Sequence, residues 1–120
     1  MAKLGTVVLS LPIPGPVRAR AEALFDCVEP PKHIGTERLI EAANANKADA
    51  VLISPGVPLQ ADAIARLPSS VKIIATASVG FDHVDVAAAR ARGMEVGTTP
   101  DATTDATADT TILLMLGASR

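Results

Sequence analysis

The run Val71-Lys72-Ile73-Ile74-Ala75-Thr76 is followed at once by the loop Ala77-Ser78-Val79-Gly80-Phe81-Asp82. A short, mostly apolar run that ends at a turn sequence is typical of a strand buried on both faces. Four further stretches have this character, the second of them only weakly: residues 6–11, 27–28, 49–54 and 94–96. The sequence therefore predicts five short strands.

Amphipathic, alanine-rich stretches separate these runs and predict helices. Pro16 suits the first turn of a helix, where its missing N–H is not needed. Asp85 suits the N-cap of a helix over residues 86–92, and Gly93 suits the position after its end. Asp105 is expected to cap a last helix over about residues 105–120. Apolar residues at helical spacing predict the other three helices: Val17, Ala21, Leu24 and Phe25; Leu39, Ile40 and Ala43; Ala61, Ile64 and Leu67.

Strands that alternate with single helices and are apolar on both faces indicate a parallel sheet with helices on both sides. Right-handed crossovers leave few strand orders for five such units. The predicted fold class is α/β, a flavodoxin-like doubly wound five-stranded parallel sheet in the order 2-1-3-4-5. The chain has 120 residues and no linker, so we expect a single domain over residues 1–120.

Composition and charge exclude several classes of function. Eleven basic and 13 acidic residues give a net charge of −2, without the clustered Lys and Arg that a nucleic-acid interface needs. Cys27 is the only cysteine, which excludes an internal disulfide and a cysteine zinc site. The longest apolar run, residues 112–116, is too short to cross a bilayer, and no signal-peptide pattern is present. We therefore expect a cytoplasmic protein with no metal, no nucleic acid and no membrane partner.

Ligands of doubly wound sheets bind beyond the carboxyl ends of the strands, which selects the loops 11–15, 54–58 and 77–82. A phosphoacceptor domain would need acidic residues where Leu11 and Ser54 stand. Three prolines in the first loop remove N–H donors that a flavin phosphate would need. The Gly-x-Gly-x-x-Gly and Gly-x-x-x-x-Gly-Lys motifs are absent from the sequence.

The 77–82 loop is different, because Gly80 allows either a positive φ or the close approach of a ligand. Successive N–H groups at such a turn can form a small concavity that binds a carboxylate or a phosphate. The spacing also fits a turn that Gly80 makes and Ser78 caps, with no ligand at all.

Residues 73–85 closely resemble a segment of the D-isomer-specific 2-hydroxyacid dehydrogenases. The resemblance continues through residues 88–96, 98–100, 104–109 and 113–116, and it is loose before residue 49. Within this family, the sequences Ser-Val-Gly at 78–80 and Thr-Asp-Ala-Thr-Ala-Asp at 104–109 are most similar to those of glyoxylate and hydroxypyruvate reductases.

The resemblance implies a substrate-binding domain that ends in an interdomain helix. In this family a separate Rossmann domain binds NAD or NADP and carries the Gly-rich fingerprint and the Arg, Glu and His that act in catalysis. All of these are expected beyond residue 120, so the cofactor would belong to the intact enzyme, and this chain alone is expected to be inactive.

The resemblance also assigns roles to particular residues. Val79 and Gly80 match positions whose main-chain N–H groups hold the substrate carboxylate, and Ser78 belongs to the same loop. Thr107 matches a residue that contacts the nicotinamide cofactor, although its hydroxyl could instead bond to its own helix. Ser54 stands where relatives that handle phosphoglycerate carry an Arg, which favours a small unphosphorylated acid as substrate.

Five other polar residues are interpreted as structural. His83 is expected at the helix entry or on the surface, and His33 in a loop. Asp82 and Asp85 are expected in a turn and a cap, because a carboxylate there would repel the substrate. Cys27 is expected to be a small buried apolar residue.

The resulting hypothesis is a domain of an NAD(P)-dependent reductase of small 2-oxo acids. Two alternatives stay open: an isolated or engineered structural domain, and a stand-alone module that binds small carboxylates. The apolar run 112–116 would be exposed in an isolated domain, so we also expect a homodimer, formed through the last helix.

Overall fold

The computed structural model describes residues 2–120 and contains a five-stranded, all-parallel sheet in the order 2-1-3-4-5. The prediction of the fold class and of the strand order is confirmed. The strands are β1 (Thr6–Leu9), β2 (Asp26–Val28), β3 (Ala50–Ile53), β4 (Ile73–Thr76) and β5 (Glu95–Gly97). β3 lies in the centre, and β1 lies between β2 and β3, where its Val8 pairs with Val28 on one side and with Val51 on the other.

Five helices follow the strands in turn: α1 (Gly15–Leu24), α2 (Thr36–Ala45), α3 (Ala61–Arg66), α4 (Val86–Ala91) and α5 (Thr104–Ala118). Pro16 lies in the first turn of α1, as predicted. Asp85 caps α4, since its Oδ1 accepts a hydrogen bond of 2.9 Å from the N–H of Ala88. Gly93 follows α4 with a φ of +72°. The expected cap at Asp105 is wrong: Thr103 is the N-cap of α5, and Asp105 lies in the first helical turn.

The core lies on one face of the sheet, beneath α2, α3 and α4. Val8, Val51, Ile53 and Ile74 point from the strands into this layer and are fully buried. They meet Leu39, Ile40 and Ala43 of α2, Ala63 and Ile64 of α3, and Ala89 of α4. The core consists of aliphatic side chains, in line with a sequence that has no Trp or Tyr and two Phe.

The opposite face of the sheet is only partly covered. α1 lies on this face but has no buried residue of its own. Leu9 on this face is buried, but Leu52 and Ala75 are only half-buried and Ile73 is 48% exposed. Cys27 lies on this face and is half-buried rather than buried, which corrects the expectation for it. Burial, together with the nearby charge of Glu22, raises the pKa of the Cys27 thiol.

α5 projects from the body of the domain. Every residue from 99 to 120 is exposed, and Ile112, Leu113, Leu114, Met115 and Leu116 are each 56–68% exposed. The hydroxyls of Thr110 and Thr111 donate to the carbonyls of Ala106 and Thr107 on the same helix. None of the helices in the described residues is long and apolar enough to cross a bilayer.

Candidate functional site

The 77–82 loop leaves the carboxyl end of β4, and backbone hydrogen bonds fix its first two residues to neighbouring segments. The N–H of Ala77 donates to the carbonyl of Ile53 on the neighbouring strand, at 2.9 Å. The carbonyl of Ser78 accepts from the N–H of Thr99, also at 2.9 Å. Beyond these two residues the loop is open to solvent, and Val79 is 46% exposed.

The main-chain N–H groups at the tip of this loop are free. Within residues 2–120, no oxygen accepts a hydrogen bond from the N–H of Ser78, Val79 or Gly80. Unpaired backbone donors are rare unless they are solvated or bind a ligand. Three successive donors on an exposed turn have the chemistry of an anion-binding concavity.

Gly80 has no positive φ, so the conformational reason considered for this glycine is wrong. A methyl group added at its Cα would meet only Oδ1 of Asp82, at 3.5 Å, which is an ordinary van der Waals contact. The fold would therefore accept alanine at this position. Of the two roles considered for Gly80, the close approach of a ligand remains as a prediction.

A group of side chains that the sequence analysis did not assemble lies beneath the loop. The Ser78 hydroxyl donates to the carbonyl of Gly80 at 2.7 Å, so Ser78 does cap the turn. The hydroxyl of Thr76, a residue only 2% exposed, lies 2.8 Å from Oγ of Ser78 and 2.8 Å from Nε2 of His83. Of the two places expected for His83, the helix entry is the one observed: it lies just before Asp85, the N-cap of α4, and is half-buried against the end of β4. The sequence offered one signal for this group of side chains, because Thr76 is a polar residue at the end of a buried strand.

An open cleft of about 560 Å³ separates the loop from the first turns of α5. Val79 forms the wall on the loop side. The opposite wall consists of residues around the start and middle of α5: Thr103, Thr104, Thr107, Ala108, Thr111 and Ile112. The structure thus brings the predicted substrate residue Val79 and the predicted cofactor residue Thr107 to the two sides of one cleft.

The Thr107 side chain is exposed and makes no hydrogen bond to any other described residue. The alternative considered for Thr107 was a hydroxyl bonded to its own helix. Thr110 and Thr111 make such bonds, but Thr107 does not. The Thr107 hydroxyl is therefore free to contact a ligand in the cleft.

Ser54 follows β3, next to the strand that carries the 77–82 loop. Ile53 pairs with Thr76, which places Ser54 at the same edge of the sheet. Its N–H donates to Oγ of the fully buried Ser10 at 3.2 Å, and its carbonyl accepts from the N–H of Val57 at 3.0 Å. No hydrogen bond in the described part of the chain joins Ser54 to the loop.

The remaining polar candidates lie apart from this cleft. His33 and Asp82 are exposed, and Asp85 serves as the cap of α4. Among the side chains of residues 2–120, no three His, Cys, Asp or Glu are grouped so that they could hold a metal ion.

Comparison with known proteins defines the class. Residues 10–118 match the family described as D-isomer specific 2-hydroxyacid dehydrogenase, catalytic domain. This match covers nearly all of the chain, and the fold agrees with it. The chain belongs to the D-isomer specific 2-hydroxyacid dehydrogenase family.

Individual relatives agree with this class. The chain is 38% identical over 117 residues to the glycerate dehydrogenase of Hyphomicrobium methylovorum, a match that covers 95% of this chain and 35% of that enzyme. A glyoxylate reductase from Paecilomyes thermophila has a similar structure, with a TM-score of 0.78, 30% identity, and coverage of 98% of this chain and 38% of that one.

The NADPH-dependent glyoxylate/hydroxypyruvate reductase of Sinorhizobium meliloti, solved in complex with NADP and malonate, is a further structural neighbour. Its TM-score is 0.73 at 29% identity, and the match covers 92% of this chain and 33% of that one. The chain thus spans about a third of the length of these relatives.

Proposed function

We propose that this chain is the substrate-binding domain of an NAD(P)-dependent 2-hydroxyacid dehydrogenase that acts on a small 2-oxo acid of the glyoxylate or hydroxypyruvate type. Relatives named for glycerate, glyoxylate and hydroxypyruvate support this substrate class. The chain would supply the loop that holds the substrate carboxylate. It would also supply the interdomain helix, α5, that leads towards a cofactor-binding domain. A cytoplasmic location stays a prediction from the sequence.

The observation that carries the proposal is the set of free N–H groups at residues 78–80. A carboxylate that accepts hydrogen bonds from backbone N–H groups forms charge-assisted bonds, which are stronger than neutral ones. Gly80 has no side chain to obstruct a ligand, although the fold would accept one. The structural neighbour from Sinorhizobium meliloti contains malonate, which is itself a small carboxylate.

A small, unphosphorylated acid fits the charges around this edge of the sheet. Residues 54–58 and 77–82 contain no Lys or Arg. Arg18, which follows the 11–15 loop, is paired with Glu29. A phosphate would therefore lack the guanidinium or ammonium partner that such groups usually have. Ser54, at the end of β3, would offer the substrate a neutral hydroxyl.

The wall of the cleft that α5 supplies fits one side of a nicotinamide. Thr103, Thr107 and Thr111 offer hydroxyls there, and Ala108 leaves space between them. When bound, NADH or NADPH supplies the hydride that reduces a 2-oxo acid to a 2-hydroxy acid. Thr107 would contact the nicotinamide, while the loop fixes the position of the acid relative to it.

The chain by itself is proposed to have no reductase activity. Its sequence lacks the dinucleotide fingerprint, and one half of a cleft cannot hold two reactants in the geometry of attack. NADPH oxidation by the purified chain in the presence of glyoxylate should equal that of a blank. Turnover above the blank, proportional to the concentration of the chain, would contradict this proposal.

A titration with malonate, followed by the ¹H–¹⁵N spectrum at constant ionic strength, tests the carboxylate site. The amide protons of Val79 and Gly80 should shift downfield and saturate. Gly80→Ala should weaken binding by about tenfold, because the added methyl group obstructs donors that form charge-assisted bonds. Gly35→Ala, at a glycine with equally open surroundings, is the matched control and should bind as the wild type does. Shifts spread over the surface, with residues 78–80 unchanged, would refute the proposal.

We also propose that the isolated chain forms a homodimer through α5. Its five consecutive large apolar residues are all more than half exposed, which favours association in water. Light scattering should give twice the chain mass of 12.3 kDa. Leu114→Lys should return the particle to the monomer mass, whereas Thr110→Lys on the same helix should not. A monomer up to millimolar concentration would reject the dimer.

A further inference from the structure

A chain of three hydrogen bonds connects His83 with the tip of the 77–82 loop, and its direction follows from the chemistry of its members. The carbonyl of Gly80 can only accept, so the single hydroxyl proton of Ser78 is donated there. Oγ of Ser78 must then accept from the hydroxyl of Thr76, 2.8 Å away. The Thr76 oxygen must accept in turn from Nε2 of His83, also at 2.8 Å. Nε2 of His83 therefore carries a proton.

The His83 and Thr76 end of this chain of hydrogen bonds lies in buried parts of the fold. The carbonyl of His83 accepts from the N–H of the fully buried Leu59, at 2.8 Å. The next residue, Val84, is 5% exposed and pairs with Leu59 in a parallel bridge. Thr76 is the last residue of β4 and is 2% exposed. The backbone at His83 is thus held by a hydrogen bond to a buried residue, and the Thr76 side chain is itself buried.

This chain of hydrogen bonds affects how the peptide groups in the loop are oriented. Peptide groups are planar, and those of the described residues are trans, so fixing a carbonyl also fixes the N–H of the next residue. The bond from Thr99 fixes the carbonyl of Ser78 and hence the N–H of Val79. The bond from Ser78 fixes the carbonyl of Gly80. The peptide group that carries the N–H of Gly80 lies between these two fixed groups.

We infer that His83 and Thr76 are positioning residues for the carboxylate-binding N–H group of Gly80, whereas Thr99 fixes that of Val79. His83 and Thr76 act through Ser78 and have no contact with the ligand. The inference rests on the proposed carboxylate site and adds what holds that site in shape. A loop already held in its binding conformation loses less conformational entropy when the ligand arrives, which strengthens binding.

Three variants of the full chain test this role in the malonate titration. His83→Leu removes the donor, and its affinity for malonate should fall about fivefold, as expected when one hydrogen bond of the network is lost. His83→Gln offers an N–H at a similar distance from the backbone and should restore most of the affinity. Ser78→Ala breaks the chain at its exposed end, with little effect on the core, and should reproduce the defect of His83→Leu.

Two measurements without ligand separate this inference from the carboxylate site itself. The neutral form of the His83 ring should carry its proton on Nε2, which long-range ¹H–¹⁵N spectra report directly. The backbone order parameter of Gly80 should fall in His83→Leu and recover in His83→Gln. Neither signal depends on whether malonate binds.

The outcomes are therefore distinguishable. If the wild type does not bind malonate, the proposed function fails, and the order parameter of Gly80 still decides whether His83 holds the loop. A neutral His83 protonated on Nδ1 would overturn the inference. An unchanged order parameter of Gly80 in His83→Leu, together with wild-type affinity for malonate, would overturn it as well.

Discussion

The Asp85 carboxylate satisfies one of the free N–H groups at the start of α4, where the helix has only six residues. Replacing this side chain by alanine leaves the N–H of Ala88 without its acceptor. Asp85→Ala should lower the free energy of unfolding by about 1 kcal/mol. Asp85→Asn, which can cap equally well, should stay close to the wild type in urea denaturation. Equal losses in the two variants would show that charge, rather than the cap, stabilises the helix.

Local chemistry explains which single residues could be predicted from the sequence. Asp85 and Gly93 act on backbone groups within three or four residues of themselves, so a short window of sequence was sufficient. The prediction of an N-cap at Asp105 was wrong because α5 begins one residue earlier, directly after Thr103. His83 and Thr76 are seven positions apart in the sequence, and their contact depends on the exact path of the loop between them. No periodic pattern records such a path.

Arg92 links two elements, α4 and α3. Its guanidinium donates from Nη1 to the carbonyl of Ile64 and from Nη2 to that of Leu67, the latter at 3.0 Å. These carbonyls lie at the C-terminal end of α3, where helix carbonyls run short of partners, although that of Ile64 also accepts from the N–H of Leu67 at 3.2 Å. Arg92→Met should lower the free energy of unfolding by about 2 kcal/mol, since bonds to charged donors are lost.

The neighbouring Arg90 is exposed and provides the matched control. Arg90→Met should unfold within a few tenths of a kcal/mol of the wild type, as expected for a surface substitution. If both variants lose the same stability, the link between α4 and α3 does not contribute as described.

A second link joins α2 to α3, and it depends on pH. The Arg66 guanidinium donates to both Glu37 carboxylate oxygens, at 2.9 and 2.5 Å. These hydrogen bonds lower the pKa of Glu37. Its contribution to stability is therefore present above the ordinary pKa of a glutamate and is lost as the pH falls through the lowered value. Both side chains are largely exposed, so this contribution should be small.

An NMR titration of the Glu37 side-chain carboxyl checks this link. Its pKa should rise towards the ordinary value in Arg66→Gln. It should stay low in Arg38→Gln, which removes an exposed neighbouring charge. A Glu37 pKa that is the same in the wild type and in Arg66→Gln would contradict the described pair.

At the scale of the whole molecule, the strand order followed from the alternation of strands and helices and from the handedness of their connections. Helices on both faces were also predicted, but the degree of coverage was not. α1 covers one face incompletely, and α5 leaves the domain. The apolar pattern of a strand or helix shows that it can be buried, but not what buries it. The open face and the exposed run at 112–116 could therefore not be predicted.

The location of the site could also be predicted from the sequence, but the shape of the cleft could not. The rule that ligands bind at the carboxyl ends of the strands selected the 77–82 loop and the end of β3. The cleft between Val79 and Thr107 depends on the direction in which α5 leaves the domain. That direction is set by the backbone between residues 98 and 103, where Asp101 has a φ of +63°.

The central claim is that the main-chain N–H groups after β4 bind a small acid. A crystal structure of the chain grown with malonate tests it most directly, with Gly80→Ala grown in parallel as the control. We predict a carboxylate whose oxygens lie within hydrogen-bonding distance of the nitrogens of Val79 and Gly80, and which is absent from the variant. A structure in which these N–H groups donate to protein carbonyls, with malonate bound elsewhere or not at all, would contradict the account.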